Sequence, residues 1–501
     1  MKRNILLFIL VFSIAKMQSQ EISDAVRYAN NNLTGTARFT ALSGAFGALG
    51  GDFSALNVNA AGGAVFLRNQ IAFTFSNYSV QNNTDYFGTN VSARKTNFDI
   101  NQIGSVFVFY NRKTDSDWKK FTIAFNYENS NNFDNVIYSQ GVNPNNSVAN
   151  YFLSYANGLP LNLLEDSLYS QLNYQQQQGF LGYQGYIVDP VTTLPENELY
   201  VSNVPNGGNY YQENHLESSG NNGKLVLNMA SQYKDRFFFG LNLNSNFVNY
   251  YQYTSFSESN ANSESKGVRS LLFENDLYTY GYGFSFQLGA IAKVTNDLRF
   301  GLSYESPTWY ELNDQLLQTL SSRGFNYGNP PDPNLSSTVV DSKTVMVYQP
   351  YNLHTPGKFT TSLAYVFKKS GLISFDYTYK DYSNTKYTPN NYNNSSVNQA
   401  MSTSLNTTAE FRVGAEYRIK QLSLRGGYRF EESPYENKQL MGDLNGFSTG
   451  LGYSFGNTKI DFSYAFAHVD GKQKSFSQGF TDGAQLKTDN NNFSLSLLFD
   501  F

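Results

Sequence analysis

Aromatic and small residues alternate with a period of two all along this chain, and that pattern restricts what it can fold into. In GFSTGLGYSF, Phe447, Thr449, Leu451, Tyr453 and Phe455 share one face of an extended strand, while Ser448, Gly450, Gly452 and Ser454 share the other. KIDFSYAFAH sets Ile460, Phe462, Tyr464 and Phe466 against Asp461, Ser463, Ala465 and Ala467. The C-terminal NFSLSLLFDF puts Phe493, Leu495, Leu497, Phe499 and Phe501 on one side. Segments of about ten such residues, parted by turn residues, suit a transmembrane β-barrel. A soluble β-sandwich alternates as well.

Two features separate these folds. The apolar face is heavily aromatic and the opposite face small or charged, as lipid outside and a polar lumen inside require. Composition agrees, with 15% charged and 16% aromatic residues, where soluble chains average about 25% charged. The connections also alternate in length. Fourteen candidate strands fall near 69–80, 97–111, 118–133, 223–234, 236–256, 272–294, 298–312, 357–368, 371–384, 407–419, 422–433, 444–456, 457–470 and 490–501. Every second connection is tight: 112–117, Lys234-Asp235, Thr295-Asn296-Asp297, Lys369-Ser370, Lys420-Gln421 and Gly456-Asn457. The others are longer and polar, notably 134–222, 313–356 and 385–406. Short periplasmic turns and long extracellular loops on an even number of strands give this pattern. The expected fold is all-β: a 14-stranded antiparallel transmembrane barrel over 69–501, in the outer membrane of a Gram-negative bacterium, with a long extracellular loop at 134–222.

The N-terminus MKRNILLFILVFSIAKMQSQ has a basic start (Lys2, Arg3) and an apolar run from Ile5 to Ala15, the pattern of a secretory signal peptide over 1–20. Residues 21–68 then precede the first strand. Within them, ARFTALSGAFGALGGDFSALNVNAAGG (37–63) carries Gly44, Gly47, Gly50 and Gly51, at neither nucleotide-loop spacing. Arg38 and Asp52 leave too short an apolar run for a membrane helix. A barrel of this size encloses a lumen. Threading 21–68 into it would bury Phe39, Phe46 and Phe53, with glycines permitting tight turns. The segment therefore reads as a plug.

Three stretches resemble the FadL outer-membrane transporters of hydrophobic compounds, including the toluene-uptake members. ARFTALSGAFGALGGDFSALNVNAAG is similar to the family's N-terminal hatch, whose closing Asn-Pro-Ala-Gly motif here reads Asn59-Ala60-Ala61-Gly62, without the proline. TPGKFTTSLAYVFKKSGLISFDYTYKDYSN (355–384) and FRVGAEYRIKQLSLRGGYRFEESPY (411–435) are similar to family hairpins. The resemblance implies fourteen strands and a hatch that blocks the lumen. It implies passive uptake of a hydrophobic ligand, a long-chain fatty acid or an aromatic hydrocarbon, from an extracellular groove to an interior pocket. Exit is then sideways through the wall, where an inward kink in the third strand interrupts pairing near the hatch motif. The implied partners are the ligand, outer-membrane lipid and the barrel assembly machinery, with the protein acting as a monomer and using no cofactor. FadL-like barrels also serve as type IX secretion shuttles, an alternative in which 134–222 would bind protein.

Parity places Arg412, Glu416 and Arg418 on the inward face of one strand, Arg425 and Arg429 on that of the next, and Asp376 and Lys380 on an earlier one. Lumenal charges need partners or water, so these either pair with one another or leave an arginine free for a ligand carboxylate. In the long loop, Leu161, Leu164, Leu168 and Leu172 stand near helical spacing, a stripe suited to ligand capture or to packing against other loops. Catalysis finds no support. Gly446-Phe447-Ser448-Thr449-Gly450 matches G-x-S-x-G but lies inside a strand, not at a strand-to-helix elbow. His215, His354 and His468 have no metal-ligand spacing, there is no cysteine, and a formal charge of −4 gives no reason to expect nucleic acid.

Overall fold

The computed structural model describes residues 21–501 apart from 31, 114, 263–265, 327–333 and 390–391, so the expected signal peptide lies outside the described residues. The alternating segments pair in sequence order: β1 (Gln70–Tyr86), β2 (Thr89–Tyr110), β3 (Trp118–Asn132), β4 (Tyr210–Tyr233), β5 (Phe237–Ser259), β6 (Gly267–Lys293), β7 (Leu298–Glu305), β8 (Lys358–Phe367), β9 (Gly371–Asp381), β10 (Thr407–Ile419), β11 (Leu422–Glu431), β12 (Leu444–Ser454), β13 (Thr458–Lys474) and β14 (Gly483–Asp500). All neighbours are antiparallel, and β14 returns to β1 from Gln70↔Asp500 to Asp85↔Gln485, closing a 14-stranded barrel. Closure leaves no strand edge facing lipid, the condition for a sheet to span a bilayer. Among the described residues no helix is long and apolar enough to cross one.

The period-two pattern sorts the faces. Phe447, Leu451, Phe462, Phe493 and Leu495 are exposed on the outer surface, while Ser448, Ser463, Ser494 and Ser496 are buried inside. Near the short-turn end Trp118, Phe237, Phe367, Tyr417 and Phe455 are exposed, as in an interfacial aromatic girdle. Three of the tight turns carry a lysine with positive φ: Lys234 (49°), Lys368 (52°) and Lys420 (55°).

Several strands are longer than expected, and the loops accordingly differ. The ladder of β1 with β2 continues to a two-residue turn at Phe87-Gly88, so no long loop follows the first strand. Much of 134–222 is sheet, with Asn135–Asn143 pairing the first half of β4. In stretches such as 212–220 of β4 the residues on both faces are mostly polar, so hydrophobic alternation fades while backbone pairing continues. The expected strand 298–312 is two. β7 ends at Glu305, and after Ser306-Pro307-Thr308 a second strand, Trp309–Phe325, pairs higher on β6 and occupies the start of the expected loop 313–356. Pro307 has no ladder N–H to give. A matching break at Thr355-Pro356-Gly357 precedes β8, and the two breaks are joined by Thr355 N donating to Thr308 O at 3.1 Å.

Helices cap the mouth. α1 (Ile22–Ala29) wedges Tyr28 among Phe133, Tyr250, Tyr310, Tyr351 and Tyr387. After α2 (Ala37–Ala41) in the lumen, the long loop contributes α3 (Ala149–Ala156), α4 (Leu161–Asp166) and α5 (Tyr174–Gln184). These pack on Phe256, Phe273, Leu320, Tyr348, Phe476 and Phe480. The leucine stripe is therefore not a helical face. Leu161 and Leu164, on α4, are buried in this cluster, Leu172 is buried just after the turn Tyr169–Gln171, and only Leu168 is exposed, at 64%. Of the two readings of the stripe, the burial of these three positions fits packing. α6 (Tyr392–Ser404) lies within the expected loop 385–406 and buries Met401 beside α1.

Candidate functional site

Residues 33–66 descend through the lumen as a folded hatch. Its small residues allow close packing against the wall, and Leu42, Phe46, Phe53 and Leu56 are fully buried. Phe39 packs on Phe46 at 5.5 Å, and Phe53 on Phe66 at 5.1 Å. Thr36 caps α2 by accepting from Phe39 N (3.2 Å) and donates to Asp52 (2.7 Å). Burial pushes the Asp52 carboxyl above the ordinary carboxylate range, against the opposing pull of Arg38. Gly50 and Gly51 take φ of +62° and +67°, and a Cβ on Gly50 would stand 2.7 Å from Gly62 Cα.

The sequence-predicted residues come together as follows. Asn59 donates to the carbonyls of Gly47 (2.7 Å), Ala290 (3.1 Å) and Leu302 (3.3 Å), and accepts from Ala61 N (3.0 Å). It thus ties the hatch to β6 and β7. Ala60 O accepts from Asn228 of β4 (2.8 Å), and Gly62 O accepts from Gly51 N (3.0 Å). Among the described residues Asp376 has no cation within ion-pair distance; it accepts the backbone N–H groups of Phe46 (2.8 Å) and Gly47 (2.9 Å). Gly47 is small because Ser362 and Asp376 press on it, and Gly44 has φ +78°.

The arginines are all engaged. Glu416, with a fully buried side chain, meets Arg418 (2.5 Å), Arg425 (2.8 Å) and the hatch's own Arg38 (2.9 Å). Arg425 also reaches Asp461 (2.6 Å), Arg429 meets Glu431 (3.1 Å), and Arg412 meets Glu410 (2.9 Å). No arginine of this set is left for a ligand carboxylate; the charges form a wall-to-hatch network.

Two groups of site residues escaped the sequence reading. Ser448, Ser463 and Ser496 bond the hatch through Ser43 N (3.0 Å), Thr40 Oγ1 (2.5 Å) and Ala37 N (2.7 Å), so the G-x-S-x-G serine is a hatch contact. Wall glycines Gly240, Gly289, Gly301 and Gly414 face inward where a side chain would overlap Ala60, Asn59, Gly47 and Leu42. Glycine inside a strand marks such close approach, a signal that was present in the sequence.

Above the hatch lies a cavity of about 100 Å³. Two ion-pair triads line it: Lys224–Glu305–Lys358, both contacts 2.7 Å, and Lys380–Glu410–Arg412, at 2.6 and 2.9 Å. Glu128, from β3, also lines it.

Beside Glu128 the wall ladder is interrupted. β2 and β3 pair from Tyr110↔Lys120 only as far as Gln102↔Glu128, although β2 continues to Thr89 on β1. The register of β1 with β2 shifts here, between Thr74 and Phe75, and that of β3 with β4 shifts between Asn129 and Asn131. Beyond that point side chains replace the ladder: Asn132 donates to Asp99 (2.9 Å), Asn97 to Asp134, and Lys95 meets Glu217 (2.9 Å). Hatch residue Gly35 lies behind the gap, its carbonyl accepting from Asn101.

Solved structures similar to this one include a Pseudomonas aeruginosa FadL homologue (TM-score 0.53, 13% identity, 94% of this chain and 99% of that one). The Pseudomonas putida toluene transporter TodX is also similar (TM-score 0.52, 12% identity, 94% and 99%). At such identities they speak for the fold. Among curated proteins no sequence matches. Residues 224–498, more than half of the chain, match the family described as Outer membrane protein transport protein (OMPP1/FadL/TodX). With the closed barrel and its lumenal hatch already evident, the chain belongs to that family of outer-membrane transport proteins.

Proposed function

We propose that the protein is a passive uptake channel for hydrophobic small molecules that leave sideways between β2 and β3. The observation that carries this reading is the coincidence of a blocked axis with an interrupted wall. Leu42, Phe46, Phe53 and Leu56 are fully buried between hatch and barrel, so a cargo has no straight path to the periplasm. The β2–β3 ladder stops at Gln102↔Glu128, beside the cavity. Apolar surface gains about 25 cal/mol per Å² on leaving water, so exit into lipid is downhill for such a cargo. The neighbouring TodX structure is named as a toluene transporter, which agrees with this reading. One detail differs from the family expectation: Asn59 of the hatch motif bonds β6 and β7, while Gly35 is the hatch residue bonded beside the gap.

A disulfide tests the route. The chain has no cysteine, so Asp99→Cys with Asn132→Cys would bridge the gap alone. Uptake of a hydrophobic dye by proteoliposomes should fall on oxidation and return with reductant. Uptake unaffected by the formed disulfide would sink the lateral route.

A further inference from the structure

We propose that the cavity is a head-group subsite for neutral amphiphiles that both donate and accept hydrogen bonds, a hydroxyl or an amide, in preference to bare hydrocarbons or carboxylates. This rests on the uptake reading above and names the cargo class.

Both side-chain polar atoms of Asn57, on the hatch, are buried and make no hydrogen bond among the described residues. The same holds for Nδ2 of Asn246, 5% exposed on β5, and Nε of Arg412. All three residues line the cavity. A hydrocarbon placed there would leave these groups dry and unpaired, an unfavourable state for any buried polar atom. A carboxylate meets a different obstacle. Every lining cation already touches a carboxylate, through Glu305 or Glu410. Glu128 adds a further carboxylate, 4% exposed and outside ion-pair distance of any cation among the described residues. Its contacts with Thr34 Oγ1 at 3.4 Å and Asn126 Nδ2 at 3.5 Å are long, and the Ser54 hydroxyl also stands beside it. An ionised carboxylate has no hydrogen to give, so it would leave Asn57 Oδ1 unpaired and would stand against Glu128. A primary amide or hydroxyl offers a donor to Glu128 or Asn57 Oδ1 and an acceptor to Asn57 Nδ2, Asn246 Nδ2 or Arg412 Nε. The volume, about 100 Å³, corresponds to roughly three waters' share of liquid. That accommodates a head group, not a chain.

Matched eight-carbon probes decide the point: octane, octanoate and octanamide, each titrated into the full-length protein in nanodiscs. Octanamide should bind at least about tenfold more tightly than the other two, because a site built for hydrogen bonding rejects ligands lacking them. Asn57→Leu, which removes no existing bond, should cut that preference to below about threefold. Asn246→Leu should do the same and serves if the hatch variant fails to fold, as judged by heat-modifiable gel migration. Octane or octanoate binding as tightly as octanamide would overturn the inference. So would a preference that survives both substitutions, or binding of none of the three. Dye uptake by proteoliposomes, run in parallel, separates the two readings. Equal binding of all probes with uptake intact removes only the head-group subsite, whereas loss of uptake itself removes the transport function beneath it.

Discussion

Replacing Asp376 by Ala removes one tie between the hatch and the barrel. The carboxylate accepts the N–H groups of Phe46 at 2.8 Å and Gly47 at 2.9 Å and, among the described residues, has no cation within ion-pair distance. Hydrogen bonds to a charged group contribute about 1.5–3 kcal/mol each. Two of them are offset by relief of burying an unpaired carboxylate, 1% exposed. A net loss of about 2 kcal/mol is the working figure, and at 1.4 kcal/mol per factor of ten the local opening constant rises about thirty-fold. The loss should stay local, because Ser362 and Arg412, the ladder neighbours of Asp376, are paired through backbone bonds that the side chain does not share. Hydrogen exchange reports the effect directly: the amides of residues 44–51 should exchange faster while those of β8, β9 and β10 hold their rates. Planar-bilayer conductance should show more frequent small openings. Unchanged exchange at Phe46 and Gly47 would refute the carboxylate's anchoring role. Accelerated exchange throughout the barrel would refute the separation of hatch from wall.

Glu416→Gln removes the anion shared by Arg38, Arg418 and Arg425. Breaking a buried ion pair costs about 3–5 kcal/mol, so the hatch should exchange faster than in Asp376→Ala and the barrel should melt earlier by calorimetry. Gly50→Val places a side chain at φ +62° against Gly62. With strain of about 1–3 kcal/mol, it should raise conductance without altering assembly on a heat-modifiability gel. Leu164→Ser buries a hydroxyl in the loop cluster and should sensitise residues 149–184 to protease, whereas Leu168→Ser, at a 64% exposed position, should not. Equal effects of the two leucine changes would contradict the packing role of Leu164.

What the sequence alone determined is whatever follows from short-range periodicity. Strand number, the tight turns and the face on which each residue lies are set by a pattern two residues long, because the pleat turns every second side chain the same way. Asp376, Glu416 and Ser448 could thus be placed inside before any contact was known. The plug was legible too, since residues 21–68 were too apolar to lie free, and Arg38 and Asp52 left 37–63 too short an apolar run for a span. The upper strands were not legible: in stretches such as 212–220 both faces are mostly polar, so pairing leaves little hydrophobic imprint. Contacts between segments hundreds of residues apart were decided only in three dimensions. The hatch arginine Arg38 lies 378 positions from Glu416 in the chain, and no local pattern indicates that they meet. The same holds for the glycine sockets of the wall, for Asp376 gripping backbone amides instead of an arginine, and for the stop in the β2–β3 ladder. Each depends on how closely the closed barrel brings its wall to the chain threaded through it, a distance set by strand number and packing and not by neighbours in sequence.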